Sequence, residues 1–202
     1  MKGRRDRKSR IARREKQMRR RFDRVYQFKI TLKKIKSVVW RRIQVPEDYT
    51  FWDLHVAIQD SFGWLDYHLH EFEMMDPQRE KITAIGIPDE EGPFDKEILP
   101  GWKLKISDWF SKGNRSALYT YDFGDNWEHA VKLEKVLPRE EGIKYPTCID
   151  GKRACPPEDC GGPWGYEDWL HWVGGKFDPK FFDPKRIRFA DPAKRRKAAF
   201  GD

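Results

Sequence analysis

Residues 117–137 read Ala117-Leu118-Tyr119-Thr120-Tyr121-Asp122-Phe123-Gly124-Asp125-Asn126-Trp127-Glu128-His129-Ala130-Val131-Lys132-Leu133-Glu134-Lys135-Val136-Leu137. Tyr119, Tyr121 and Phe123 alternate on one side, and Trp127, His129, Val131 and Leu133 form a matching face on the return. Period-two alternation on both sides of a Gly124-Asp125-Asn126 turn predicts an antiparallel hairpin with one buried face. A chain that pairs its strands by hairpins builds an antiparallel sheet, so this stretch sets the fold class.

Alternation recurs toward the N-terminus. Tyr26, Phe28, Ile30 and Leu32 interleave with Gln27, Lys29 and Thr31. After a Lys-rich turn, Val38 to Val45 reads as the partner strand, stopped by Pro46. Thr50 with Asp53 three residues later is a capping-box signature. Phe51, Leu54, Ile58 and Phe62 then mark a helical stripe closed by Gly63. Tyr67 to Met75 alternates again, placing His68, His70, Phe72 and Met74 on one face. Residues 77–101 are rich in punctuation and predict a long loop with a short strand near Ile82–Ile87. Ser107 to Phe110 predicts a helical turn. Beyond the central hairpin, 142–165 is a Pro/Gly/Cys segment. Tyr166, Trp169, Leu170 and Val173 predict a short amphipathic helix ended by Gly174-Gly175, and the remainder reads as a turn-rich basic tail. Strands in mixed order with interspersed helices predict a single α+β domain: a largely antiparallel sheet with a few short helices packed on it.

Composition agrees with a folded body. Of 202 residues, 38% are hydrophobic and 14% aromatic, including 9 Trp, which is more than a disordered chain of this charge would carry. No apolar run is long enough to span a bilayer, and no apolar segment follows the basic N-terminus as in a signal peptide. Three cysteines do not make a disulfide scaffold, so a reducing, cytoplasmic location is expected. The net charge of +8 is unevenly spread. Residues 1–24 carry 13 Lys and Arg against three acids, residues 25–173 carry 19 against 26, and residues 174–202 carry nine against four. The expected organisation is a basic arm, helical or disordered, over 1–24, a domain over 25–182 and a basic tail over 183–202. Arg13, Arg14, Arg19, Arg20 and Arg21 lie opposite an Ile11/Met18 stripe, a pattern suited to phosphate contacts.

Three further strings are distinctive. They are Trp64-Leu65-Asp66-Tyr67-His68-Leu69-His70-Glu71-Phe72, Tyr121 to His129, and Pro156-Pro157-Glu158-Asp159-Cys160-Gly161-Gly162-Pro163-Trp164-Gly165-Tyr166. Together, from about Val25 to Phe182, the chain resembles the plasmid Ri open-reading-frame-three-like family. The resemblance implies a single α+β domain with a largely antiparallel sheet and an association with mobile elements, some relatives carrying a resolvase-like label.

These strings hold the chemistry. His68 and His70, two apart on a strand, project from one face, and His129 faces inward on the later hairpin. Convergence of the three would give a Zn²⁺ or Mn²⁺ site able to activate water, with Asp122, Asp125, Glu158 and Asp159 as carboxylate partners. The alternative is that the histidines are core residues and the aspartates cap a turn. Cys148, Cys155 and Cys160 read either as buried free thiols or as a metal clip completed by Asp159, His171 or a distant histidine. There is no G-x-G-x-x-G and no Walker loop. Three functional expectations follow. The first is a non-enzymatic, mobile-element-associated module that binds DNA or RNA with weak sequence preference through the Arg-rich arm and docks a protein partner on its body. The second is a metal-dependent hydrolase using the His/Asp/Glu cluster, and the third a structural adaptor.

Overall fold

The computed structural model describes residues 22–88 and 97–201. Its centre is an eight-stranded sheet in the order β5-β4-β3-β6-β7-β1-β2-β8. The strands are β1 (Arg24–Leu32), β2 (Trp40–Pro46), β3 (His70–Met75), β4 (Ile82–Gly86), β5 (Ile98–Pro100), β6 (Ser116–Tyr121), β7 (Trp127–Pro138) and β8 (Thr147–Lys152). Every pairing is antiparallel except β4 with β5. The fold class is the expected α+β domain.

One face of this sheet is covered by α1 (Phe51–Phe62). Its start is the expected capping box: the Asp53 N–H donates to Thr50 Oγ1 at 3.2 Å and the Thr50 N–H to Asp53 Oδ2 at 2.8 Å. Gly63 ends it at φ 81°, a left-handed turn that a side chain would resist. Phe51, Leu54, Ile58 and Phe62 are buried with Phe28, Ile30, Ile43, Phe72, Tyr119 and Trp127 from the strands. Short α2 (Ile106–Trp109) adds Ile106 and Trp109, and α3 (Gly162–Val173) docks Tyr166.

Five expectations change, the first being that the Pro/Gly/Cys segment holds β8, paired with β2 at the sheet edge. β3 begins at His70 rather than Tyr67, because the Tyr67 and His68 N–H groups turn to the Tyr121 hydroxyl instead of a strand partner, and Leu69 turns its carbonyl to the Asp122 N–H at 2.9 Å. His68 and His70 therefore do not share a strand face. β6 stops at Tyr121, since Asp122 sits at φ 55°, and Phe123 is half exposed rather than inward. The loop beyond β4 contains β5, whose parallel pairing a period-two reading of three residues does not reveal. The basic tail forms α4 (Pro192–Phe200), capped by Asp191, and lies on α1: Trp52 Nε1 donates to the Pro192 carbonyl at 3.0 Å and Arg195 pairs with Asp60 at 2.7 Å.

Candidate functional site

The three distinctive strings meet at one end of the sheet. Glu158 ties them: one carboxylate oxygen accepts the Leu65 N–H at 2.6 Å, and the other accepts the Tyr121 hydroxyl. The Tyr121 oxygen in turn accepts the backbone N–H groups of Tyr67 at 3.0 Å and His68 at 3.3 Å. Burial and the Glu158 carboxylate push the Tyr121 phenol upward, so it stays protonated and donating. Trp64 stacks on Tyr121 and donates Nε1–H to the Pro156 carbonyl at 2.9 Å. Gly162 closes the junction, since a Cβ there would lie 2.3 Å from the Asp125 carbonyl oxygen.

This scaffold brings His68, Asp122 and Asp159 together. His68 Nε2 is 2.8 Å from Asp159 Oδ1 and 3.7 Å from Asp122 Oδ2. One donor atom from each residue falls within 4.8 Å of the others. Asp122 is buried, and its Oδ1 accepts the N–H groups of Gly124 at 2.9 Å and Asp125 at 3.3 Å. His68 and Asp159 face solvent. Among the described residues this is the one cluster of three donors that could hold a metal ion.

The other histidines lie elsewhere, so the three imidazoles read from the sequence do not converge. His129 is fully buried; its Nδ1 is 3.1 Å from the Trp127 carbonyl, and its ring meets Phe62 and Trp64 edge-on. Burial depresses its pKa to about 3, which keeps it neutral. His70 stacks on His55, and burial lowers both imidazoles well below their ordinary range. Asp125 supplies a turn N–H to Asp122 and stays out of the cluster, and Glu158 is spent on Leu65 and Tyr121.

Sequence reasoning missed His55 and Asp66. His55 is flanked by Asp66 Oδ1 at 2.7 Å and the Tyr119 hydroxyl at 2.8 Å, and Gln59 donates to that hydroxyl at 2.8 Å. The signal was available: His55 lies four residues after Phe51 and three before Ile58, on the buried stripe of α1. The three cysteines are free thiols and belong to no three-donor group among the described residues. Burial raises Cys148 and Cys155 and pushes Cys160 to about 11, so none is a ready thiolate at neutral pH.

The opposite, outward face of the sheet has a different character. Lys29 on β1 is in register with Arg42 on β2 and Lys132 on β7, a row of three cations across adjacent strands. Lys135 lies beside Gln27 in the same strand pair, and Arg115 reaches the Glu134 carbonyl at 2.8 Å. These five cations border a shallow depression of about 810 Å³ in which Glu134 is the one carboxylate. Glu134 and Asp150 hold Arg42, and Trp40 lies beneath Lys29 and Arg42 at 4.9 and 5.0 Å. The expected phosphate contacts Arg13, Arg14, Arg19, Arg20 and Arg21 lie outside the described residues. No described helix is long and apolar enough to cross a membrane.

Comparison with known proteins places this architecture. The family described as plasmid pRiA4b ORF-3-like protein matches residues 24–186. An uncharacterised protein of Sinorhizobium fredii, y4hQ, is 38% identical over 148 residues, which span 72% of this chain and 71% of that protein. A crystal structure of a protein of unknown function, MM3350 from Methanosarcina mazei Go1, shares 49% identity and a TM-score of 0.77, covering 83% of this chain and 99% of that one. The match begins at the first residue of β1 and takes in all three strings that build the junction around Glu158. On that basis the chain belongs to the plasmid pRiA4b ORF-3-like family.

Proposed function

We propose that the chain is a nucleic-acid-binding module that holds phosphates on the outward face of β1, β2 and β7 and on the Arg-rich segment preceding β1. The observation that carries this is the row Arg42–Lys29–Lys132. Like charges directly opposite one another on a sheet are destabilising by about 0.2–1 kcal/mol per pair. Arg42 is already held by Glu134 and Asp150, so the pair left facing each other is Lys29 opposite Lys132, on a body whose net charge is negative. A polyanion laid across the strands relieves that repulsion and releases its own counterions. Cations that contact phosphates follow the backbone, so binding is weakly sequence-specific, for DNA or RNA alike.

Short fluorescent oligonucleotides, single-stranded and duplex, test this by anisotropy at low salt. The expected result is saturable binding that weakens by at least about tenfold in Lys29→Ser/Lys132→Ser/Lys135→Ser and again on removing residues 2–21. Equal affinity in both variants and the parent chain would remove the sheet face and the arm from the account together.

A further inference from the structure

We infer that His68, Asp122 and Asp159 form a binding site for one divalent cation of the Zn²⁺ or Mn²⁺ class. A tetrahedral ion bound at about 2.0–2.2 Å from nitrogen and oxygen donors sets those donors about 3.4 Å apart. The two His68 distances, 2.8 Å to Asp159 and 3.7 Å to Asp122, bracket that value, and all three donor atoms lie within 4.8 Å of one another. One imidazole with two carboxylates favours these borderline ions over Ca²⁺ or Mg²⁺, which take oxygen alone, and over Cu⁺, which prefers sulfur.

A second observation points the same way. The Asp122 side chain is largely buried, 12% exposed, and its Oδ2 faces His68 Nε2 at 3.7 Å. Its partner oxygen is already satisfied by the turn. A carboxylate held in a largely buried turn loses much of its hydration, and a cation placed between it and His68 supplies compensating charge. Two carboxylates and a neutral imidazole balance a charge of +2. His68 and Asp159 are the open side, where water or an incoming ligand completes the coordination.

The claim is independent of nucleic-acid binding, because the cluster sits at the end of the sheet that carries the β6–β7 turn and not on the cationic row. It is tested on the full chain, purified without a histidine tag, stripped with chelator and titrated calorimetrically with ZnCl₂ and with MnCl₂. The expected result is about one ion per chain, with affinity lowered at least about tenfold in His68→Ala and in Asp159→Asn. Asp159 is exposed and His68 only half-buried, outside the core, so the variants should retain the parent far-ultraviolet circular dichroism. His171→Ala, on the exposed side of α3, should bind as the parent does. Absence of saturable binding, equal affinity in the His68 and Asp159 variants, or zinc lost only in Cys160→Ala would each overturn the assignment.

Discussion

His55 and His70 stack face to face in the core, their ring centroids 3.4 Å apart and their planes 6° from parallel. Burial lowers both pKa values, helped by the Arg195 charge at His55 and by His55 at His70, so neither is charged. His55 is fixed from both sides. Its Nε2–H donates to Asp66, leaving Nδ1 to accept the Tyr119 hydroxyl, which in turn accepts from Gln59. That chain links α1, the loop before β3, and β6. His55→Phe keeps the stack but takes a partner from Asp66 and from Tyr119. It should lower unfolding free energy by about 1–3 kcal/mol, because each loses one partner while Tyr119 keeps Gln59 and Asp66 keeps Arg195 at 3.6 Å. Urea denaturation checks this, and a loss below about 1 kcal/mol would contradict the proposed hydrogen-bond chain.

His129 makes stability depend on pH. In the folded chain its pKa is near 3, while an unfolded histidine titrates near 6.5. Between those values the unfolded state binds the extra proton, so stability should fall as pH drops from about 6.5, by about 1.4 kcal/mol per pH unit for this residue. The paired carboxylates Glu47, Glu128 and Glu134 have lowered pKa values, and their contributions disappear only below about pH 4.5. The interval between about pH 6.5 and 5 therefore reports on buried imidazoles. Urea midpoints for the parent and His129→Gln across it should show a shallower slope in the variant. Identical slopes would mean that His129 protonates without unfolding.

The C-terminal helix should contribute to stability. Asp60 receives both the Arg195 guanidinium and the Ala190 N–H at 2.7 Å, and Phe200 packs on Trp52 and Trp102. Truncation after Phe189 uncovers Trp52 and leaves Asp60 unpaired. A loss of about 2–4 kcal/mol is expected, from lost apolar burial and a stranded carboxylate. An unchanged urea midpoint would show the helix to be loosely held.

Gly162→Ala tests how tightly the three distinctive strings are joined. Its φ of +68° disfavours a side chain, and the new Cβ would meet the Asp125 carbonyl, a backbone atom with little freedom to retreat. The expected outcome is a loss of about 1–3 kcal/mol, together with weaker cation binding as Asp159 is displaced. Parent-like stability and binding would mean that the loop relaxes independently of the cluster.

Much of the fold was legible because it rests on local periodicity. The central hairpin, the capping box at Thr50 and the helix ending at Gly174 each follow from residue spacing. The site was only half legible. Asp122 and Asp159 were identified, but pairing His68 with His70 assumed an unbroken strand, and the Tyr121 hydroxyl captures the Tyr67 and His68 N–H groups that would have paired it. No pattern in one strand could show the cationic row, which exists only once the registers of β1 with β2 and of β1 with β7 are both set. The charge tally even pointed away from it, since an acidic body conceals a basic face.

The most direct test of that face is the salt dependence of oligonucleotide binding. For single strands, each phosphate contact adds about 0.7 to the slope of log affinity against log salt. Replacing Lys29, Lys132 and Lys135 with serine should therefore make the slope shallower by about two, with the fold unchanged by circular dichroism. A slope identical to that of the parent chain would show that nucleic acid does not lie on this face.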